Sequence, residues 1–164
     1  MTNGDYNTIY RIAVINAHQV YHACCIGDRP PHIVALHESL RNPSVGDWVL
    51  EWTRLRKGGM EPEGAALGRL IAHGWESVTA TDTGNLLWDE YWYLETPSGA
   101  CVRWSNADFI RVLDEPFRYS GEPETHCADK IAAKRQWAED AAARHSVDLA
   151  AIKKAPGAPA TNGT

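Results

Sequence analysis

The stretch Ser44-Val45-Gly46-Asp47-Trp48-Val49-Leu50-Glu51-Trp52-Thr53 decides how the rest of the chain is read. Trp48, Leu50 and Trp52 recur at every second residue, the period at which side chains return to one face of a β-strand. A slip of one residue would turn the whole set to the other face, so the pattern specifies a buried side as well as a strand.

Downstream the strand signals continue. Residues 54–66 read as a loop, with Gly58-Gly59 and Glu61-Pro62-Glu63-Gly64 as turn chemistry. Residues 67–72 read as a second strand, Gly84-Asn85 as a turn and residues 90–96 as a third strand. On that strand Trp92 and Leu94 point inward, and Tyr91 and Tyr93 outward. Pro97-Ser98-Gly99 signals a tight hairpin, from which residues 101–104 return with Val102 and Trp104 inward. Residues 106–109 read as a single helical turn, and residues 110–112 as a last short strand. Trp75 and Trp88 fall in connecting segments on this reading.

Helical periods flank the strands. Over residues 8–25, Ile9, Ala13, Val20 and Cys24 recur near helical spacing, with Asp5 or Asn7 as N-cap; a strand over residues 10–15 is the rival reading. Pro30-Pro31 opens a shorter helix striped by Ile33, Leu36 and Leu40, and Asn42-Pro43 stops it. Past residue 125, Cys127, Ile131, Ala138 and Ala142 share one side of a helix, with Trp137 at its edge. Asp140 and Arg144 have the spacing of a favourable i,i+4 pair, and Ser146 recaps a second piece that runs through Lys154. Residues 155–164, rich in Pro, Gly and Ala, are expected to form a disordered tail. The expected fold is α+β, with a single domain over residues 1–154: a helical N-terminal segment 1–43, a β unit 44–114, and one or more C-terminal helices within 120–154.

The β unit resembles an SH3-like small barrel over about residues 45–112. The matching pieces are Gly46-Asp47-Trp48-Val49 as an opening strand, a long loop, Gly68-Arg69-Leu70-Ile71 as a second strand, a hairpin within residues 91–104, and a turn and closing strand over 105–112. The likeness is one of architecture and covers under half the chain. It implies a small antiparallel β barrel or strongly bent sheet, flanked here by helices, in a class whose members often bind peptides, proteins or nucleic acids. It carries no catalytic residue over, and fold does not fix function.

Composition narrows the classes. The 164 residues suit one domain, and 44% hydrophobic with 23% charged residues is neither a disordered nor a membrane composition. No apolar run approaches the ~20 residues of a spanning helix. Residues 1–8 are polar and lack the order of a secretory signal, so the expected setting is cytoplasmic, or assembled into a virion, with no membrane. Of the net charge of −5, the excess acid falls in residues 44–114, with eleven acidic against six basic residues. Nucleic acid needs basic surface and is disfavoured as a partner. Arg outnumbers Lys by eleven to five and Ala is abundant, a bias that GC-rich codons produce. An actinobacterial genome, or a phage or mobile element of one, fits that bias.

Candidate chemistry is sparse. His18 and His22 are spaced i,i+4, and Cys24, Cys25, His32, His37 and His126-Cys127 could add ligands, but no Cys-x-x-Cys pair accompanies them. Neither a metal nor a cofactor is expected. The four cysteines, Cys24, Cys25, Cys101 and Cys127, are expected to be reduced, since adjacent cysteines bridge with strain. No Gly-x-Ser-x-Gly elbow, Walker loop or dinucleotide fingerprint occurs, so no enzyme is expected. The candidate binding residues are aromatic and basic: Trp75, Trp88, Tyr91, Tyr93, Arg103, and Arg54 with Arg56 in the long loop. The bland alternative for Tyr91, Tyr93 and Arg103 is cross-strand pairing. The expected function is a non-catalytic interaction or assembly module, a phage or mobile-element accessory or structural protein, that binds a protein partner or itself. A nucleic-acid-binding barrel and a small pocket enzyme are the alternatives.

Overall fold

The computed structural model describes residues 8–13, 15, 38–51, 67–112 and 128–154. Five antiparallel strands form one sheet: β1 Trp48–Glu51, β2 Leu67–Thr79, β3 Leu86–Glu95, β4 Cys101–Ser105 and β5 Phe109–Arg111, in the order β4-β3-β2-β1-β5. Helix α1, Ala128–Arg144, and a 3-10 turn, Leu149–Ala151, follow. Residues 8–13, 15 and 38–40 are also helical, so the α+β class holds and a strand over 10–15 does not.

The sheet is bent but open. Flat strands about 4.8 Å apart would set β4 and β5 roughly 19 Å from each other. Instead Trp104 of β4 meets Phe109 of β5 edge-on, with 6.1 Å between ring centroids. Trp92 of β3 lies 5.1 Å from Phe109. β4 and β5 do not pair, so the curl stops short of a closed barrel. A bulge contributes to it: Leu70 opposes Leu94 but Ala72 opposes Tyr93, which leaves Ile71 as an extra residue that increases local twist.

The curl creates two packed faces. On the concave one, Val49, Leu70, Trp92, Leu94 and Phe109 are buried, with Val102 and Trp104 partly so. On the other, Leu50, Leu67 and Ile110 pack with Ala13 and Leu40, while Ile71 and Ala72 pack with Ala141 and Ala142 of α1. The alternation of β1 therefore has two buried phases. Val49 shares the side of Trp92, whereas Leu50 and half-buried Trp48 turn toward the helical residues. Trp52 lies outside the described residues, as do the 54–66 loop, the tail, the other candidate metal ligands and every cysteine except Cys101.

One corner ties sheet to helix. Gly46 has φ 83°, and a Cβ there would lie 2.5 Å from the Lys134 backbone oxygen. Its N–H donates to Leu70 O at 2.7 Å, and Leu70 N–H donates to Asp47 O at 2.8 Å. The buried Asp47 carboxylate accepts from Ser44 N–H at 2.8 Å and from Lys134 Nζ at 2.6 Å. Arg69 Nε donates to Gly46 O at 2.9 Å, and its guanidinium lies 4.0 Å from the Trp137 ring centroid.

Several local expectations are corrected. α1 buries Ala138, Ala141 and Ala142 but leaves Ile131 44% exposed, because the helix approaches the sheet through its small residues. Arg144 donates to Glu95 rather than to Asp140, which accepts from Gln136; a half-buried carboxylate outcompetes an exposed i,i+4 partner. Asp148, not Ser146, caps the 3-10 turn. Residues 106–108 make no helical turn: Asn106 bends the chain at φ 51°, and Phe109 is already in β5 opposite Glu51. β2 runs to Thr79 and β3 starts at Leu86, both beyond the expected bounds. No helix among the described residues is long and apolar enough to cross a membrane.

Two outcomes follow from this packing. Trp92, 3% exposed, is the concave anchor, so Trp92→Ala should cost about 3–5 kcal/mol in denaturant unfolding. Partly buried Trp104→Ala should cost about 1–2 kcal/mol less. The second concerns Glu95. Burial pushes its carboxyl up, but hydrogen bonds from His145 at 2.8 Å and Arg144 at 3.0 Å, with their charges, prevail and hold it below the usual glutamate value. A value lowered by folding adds stability above the usual glutamate range and loses it as pH falls through the lowered value. The melting-temperature gap between wild type and Glu95→Gln should therefore be widest near neutral pH and close on acidification.

Candidate interaction site

β2 and β3 are far longer than their neighbours, and the excess forms an arm. β1 pairs with β2 only as far as Arg69, and β4 reaches β3 only as far as Tyr91 opposite Ser105. Beyond that, Trp75 to Thr79 pair with Glu90 to Leu86 as a two-stranded ribbon closed by the turn at Gly84. Trp75 and Trp88 thus lie in strands, not in connections. At the arm's root Gly74 explains the difference. A Cβ there would stand 2.5 Å from Ile152 Cγ2 and from Lys153 O, so glycine is needed for the close approach of the chain after α1. Trp75 and Lys153 exchange both backbone hydrogen bonds at 2.8 Å.

Strand parity sorts the arm's side chains. Trp75, Trp88, Glu90 and Leu86 continue the concave face of Trp92. Glu76, Val78, Leu87 and Asp89 continue the helix side, where Tyr93 packs beside α1. Leu86 is 63% and Leu87 50% exposed, while Trp75, Val78 and Trp88 are half-buried. Glu76, Asp82, Asp89 and Glu90 are the charges between Gly74 and Glu90, with no Lys or Arg among them.

Two polar clusters stand at the root, one on each face. On the concave side the His73 ring stacks on Trp92 at 3.5 Å with a 10° tilt, and its Nε2 lies 2.7 Å from Glu90 Oε1. The buried Trp92 Nε1 has no hydrogen-bond acceptor among the described residues. On the helix side the structure brings together Tyr91, Tyr93 and Arg103. Arg103 pairs with Tyr93 in register and lies 4.4 Å from the Tyr91 ring centroid. Tyr93 OH donates to Glu76 at 2.8 Å, and burial followed by that carboxylate pushes its hydroxyl up from the ordinary tyrosine value. Arg103 also stands 3.9 Å from Glu76. Arg54 and Arg56 lie outside the described residues.

No serine or cysteine bonds to His73 among the described residues. Burial, with Glu95 adding to it, pushes the Cys101 thiol up, whereas a reactive thiol is held down. No group of three metal-ligating side chains occurs among the described residues. What the sequence reading missed is the arm itself, together with His73, Glu76 and Glu90. The signal available was the run Trp75-Glu76-Ser77-Val78-Thr79, which opens on an aromatic and ends on two β-branched residues, the types that strands favour.

Gly74→Ala should push residues 152–153 off β2 while leaving the β3–β4 ladder intact. Amide exchange should quicken at Trp75 and Lys153, with little change at Leu94. Comparison with known proteins yields no match, whether with family models, curated proteins or solved structures.

Proposed function

We propose that the chain is a non-catalytic protein-interaction module that docks a partner through the β2–β3 arm. The observation that carries this is the exposure of Leu86 and Leu87 beside half-buried Trp75 and Trp88, on a ribbon that projects past the rest of the sheet. A two-stranded ribbon is marginal by itself, and clustered aliphatic and aromatic side chains gain most when a partner covers them. The arm's uniform acidity disfavours nucleic acid and a second identical arm, and complements a basic protein surface. The strand order, in which the last strand returns to the first, supports the SH3-like reading of the β unit. An accessory or structural role in a phage or mobile element belongs to the same proposal and rests on composition.

Photo-crosslinking tests the docking surface. A photoreactive residue placed at Leu87 should form protein adducts in the cells of origin, while one at exposed Ala133 on α1 should not. Leu86→Ser with Leu87→Ser should abolish partner capture yet leave the melting temperature within about two degrees, since both side chains are largely exposed. Equal adducts from both positions, or none from Leu87, would sink the proposal.

A further inference from the structure

We infer that the free edge of β3 receives an extended, basic segment of a partner protein as an added β-strand. The inference rests on the arm being the docking surface and specifies how the partner is held.

The backbone directions follow from the hydrogen bonds. Trp75 directs both its N–H and its C=O to Lys153, away from β3. Its register partner is Glu90. In an antiparallel pair, a residue that points away sits opposite one that also points away. Glu90 therefore directs its backbone groups to the outer edge, and alternation gives Trp88 and Leu86 the same direction. The arm's tip agrees: Ala80 N–H bonds to Asn85 O at 2.9 Å, which puts even-numbered β2 residues toward β3 and even-numbered β3 residues outward. Farther down, Trp92 opposes Trp104 of β4 with the same parity. β4 ends at Ser105, where Asn106 at φ 51° bends the chain. The outward groups of Leu86, Trp88 and Glu90 then have no strand beside them among the described residues.

Sheet edges of this kind are commonly protected by Lys, Pro, a bulge or a covering element. From Leu86 to Glu90 there is no Lys and no Pro, and the β2–β3 register shifts only between Leu70 and Ala72. The charges at this edge, Asp89 and Glu90, whose Oε1 also meets His73, repel an identical edge and attract a cationic one. The side chains set the pattern of the incoming strand. Leu86, Leu87 and Trp88 favour apolar residues toward the tip, and Asp89 and Glu90 favour Lys or Arg toward the root. Main-chain bonds would supply affinity and the alternating side chains specificity.

A random-peptide display library panned on the intact chain tests this. Enriched peptides should be basic, carry alternating apolar residues, and weaken as salt rises. Binding should protect the Leu86, Trp88 and Glu90 amides from exchange. Methylating alternate peptide nitrogens should weaken binding about tenfold or more. Trp88→Pro removes an outward N–H without taking a bond from the β2 ladder, so it should weaken binding beyond Trp88→Ala. Peptides that need Leu86 and Leu87 but are acidic, or that leave the three amides unprotected, would overturn strand addition and leave the docking arm standing. A library yielding no peptide sensitive to Leu86→Ser with Leu87→Ser would overturn both. The exchange readout decides the matter on the unmodified chain even if the proline variant fails to fold.

Discussion

The fold hangs on one buried carboxylate. Asp47 holds the Ser44 amide with one oxygen and the Lys134 ammonium with the other, while its own carbonyl takes the Leu70 amide. Ion, turn and ladder are thus joined within two residues, and Gly46 leaves the room for α1 to lie against them. A buried ion pair is not by itself a large source of stability, but removing one partner strands the other charge away from water. The corner sets where β1 begins and where the helix crosses. Arg69 extends it, reaching from Gly46 O to the Trp137 ring.

From that corner the unequal strand lengths follow. On the side toward the arm, β1 begins only at Trp48, opposite Arg69, and β4 stops at Ser105, opposite Tyr91. β2 and β3 continue past them, and the pairing with Lys153 gives β2 a neighbour for one residue only. Among the described residues, no further strand flanks the ribbon beyond that bridge on either edge.

Much of the fold was legible because the local signals agree with the tertiary structure. The Pro97-Ser98-Gly99 hairpin, the Gly84 turn, the inward Trp92 and Leu94 and a C-terminal helix all follow from period and turn chemistry. The arm did not, for a physical reason. Gly74 reads as a break because glycine weakens strands, yet here it is required by Ile152 and Lys153, contacts some eighty residues away in sequence. The bulge at Ile71 hides the rest: alternation carried from Leu70 puts Ala72 and Gly74 on its side, whereas the extra residue moves them to the other. The faces of β1 were ambiguous for a different reason. A strand buried on both sides has no polar phase to reveal its orientation. At the candidate site, Tyr91, Tyr93 and Arg103 came together because cross-strand neighbours share a face, while Glu76 and His73 could be placed only once the register was known.

The way α1 meets the sheet bears on how the molecule comes apart. Its buried residues are three alanines, whose methyl groups contribute on the order of 2–3 kcal/mol together. Half-buried Trp137 adds apolar packing to that cluster, and the other ties are Lys134 on Asp47, Arg144 on Glu95 and the Arg69 guanidinium over the Trp137 ring. The concave cluster around Trp92 and Phe109 does not include the helix at all. Such a division makes two cooperative units of unequal depth. The helix and the 3-10 turn can open as one body at a free energy below that of global unfolding, and in doing so they would withdraw Lys153 from β2 and lengthen the ribbon's exposed edge by the reach of that single bridge.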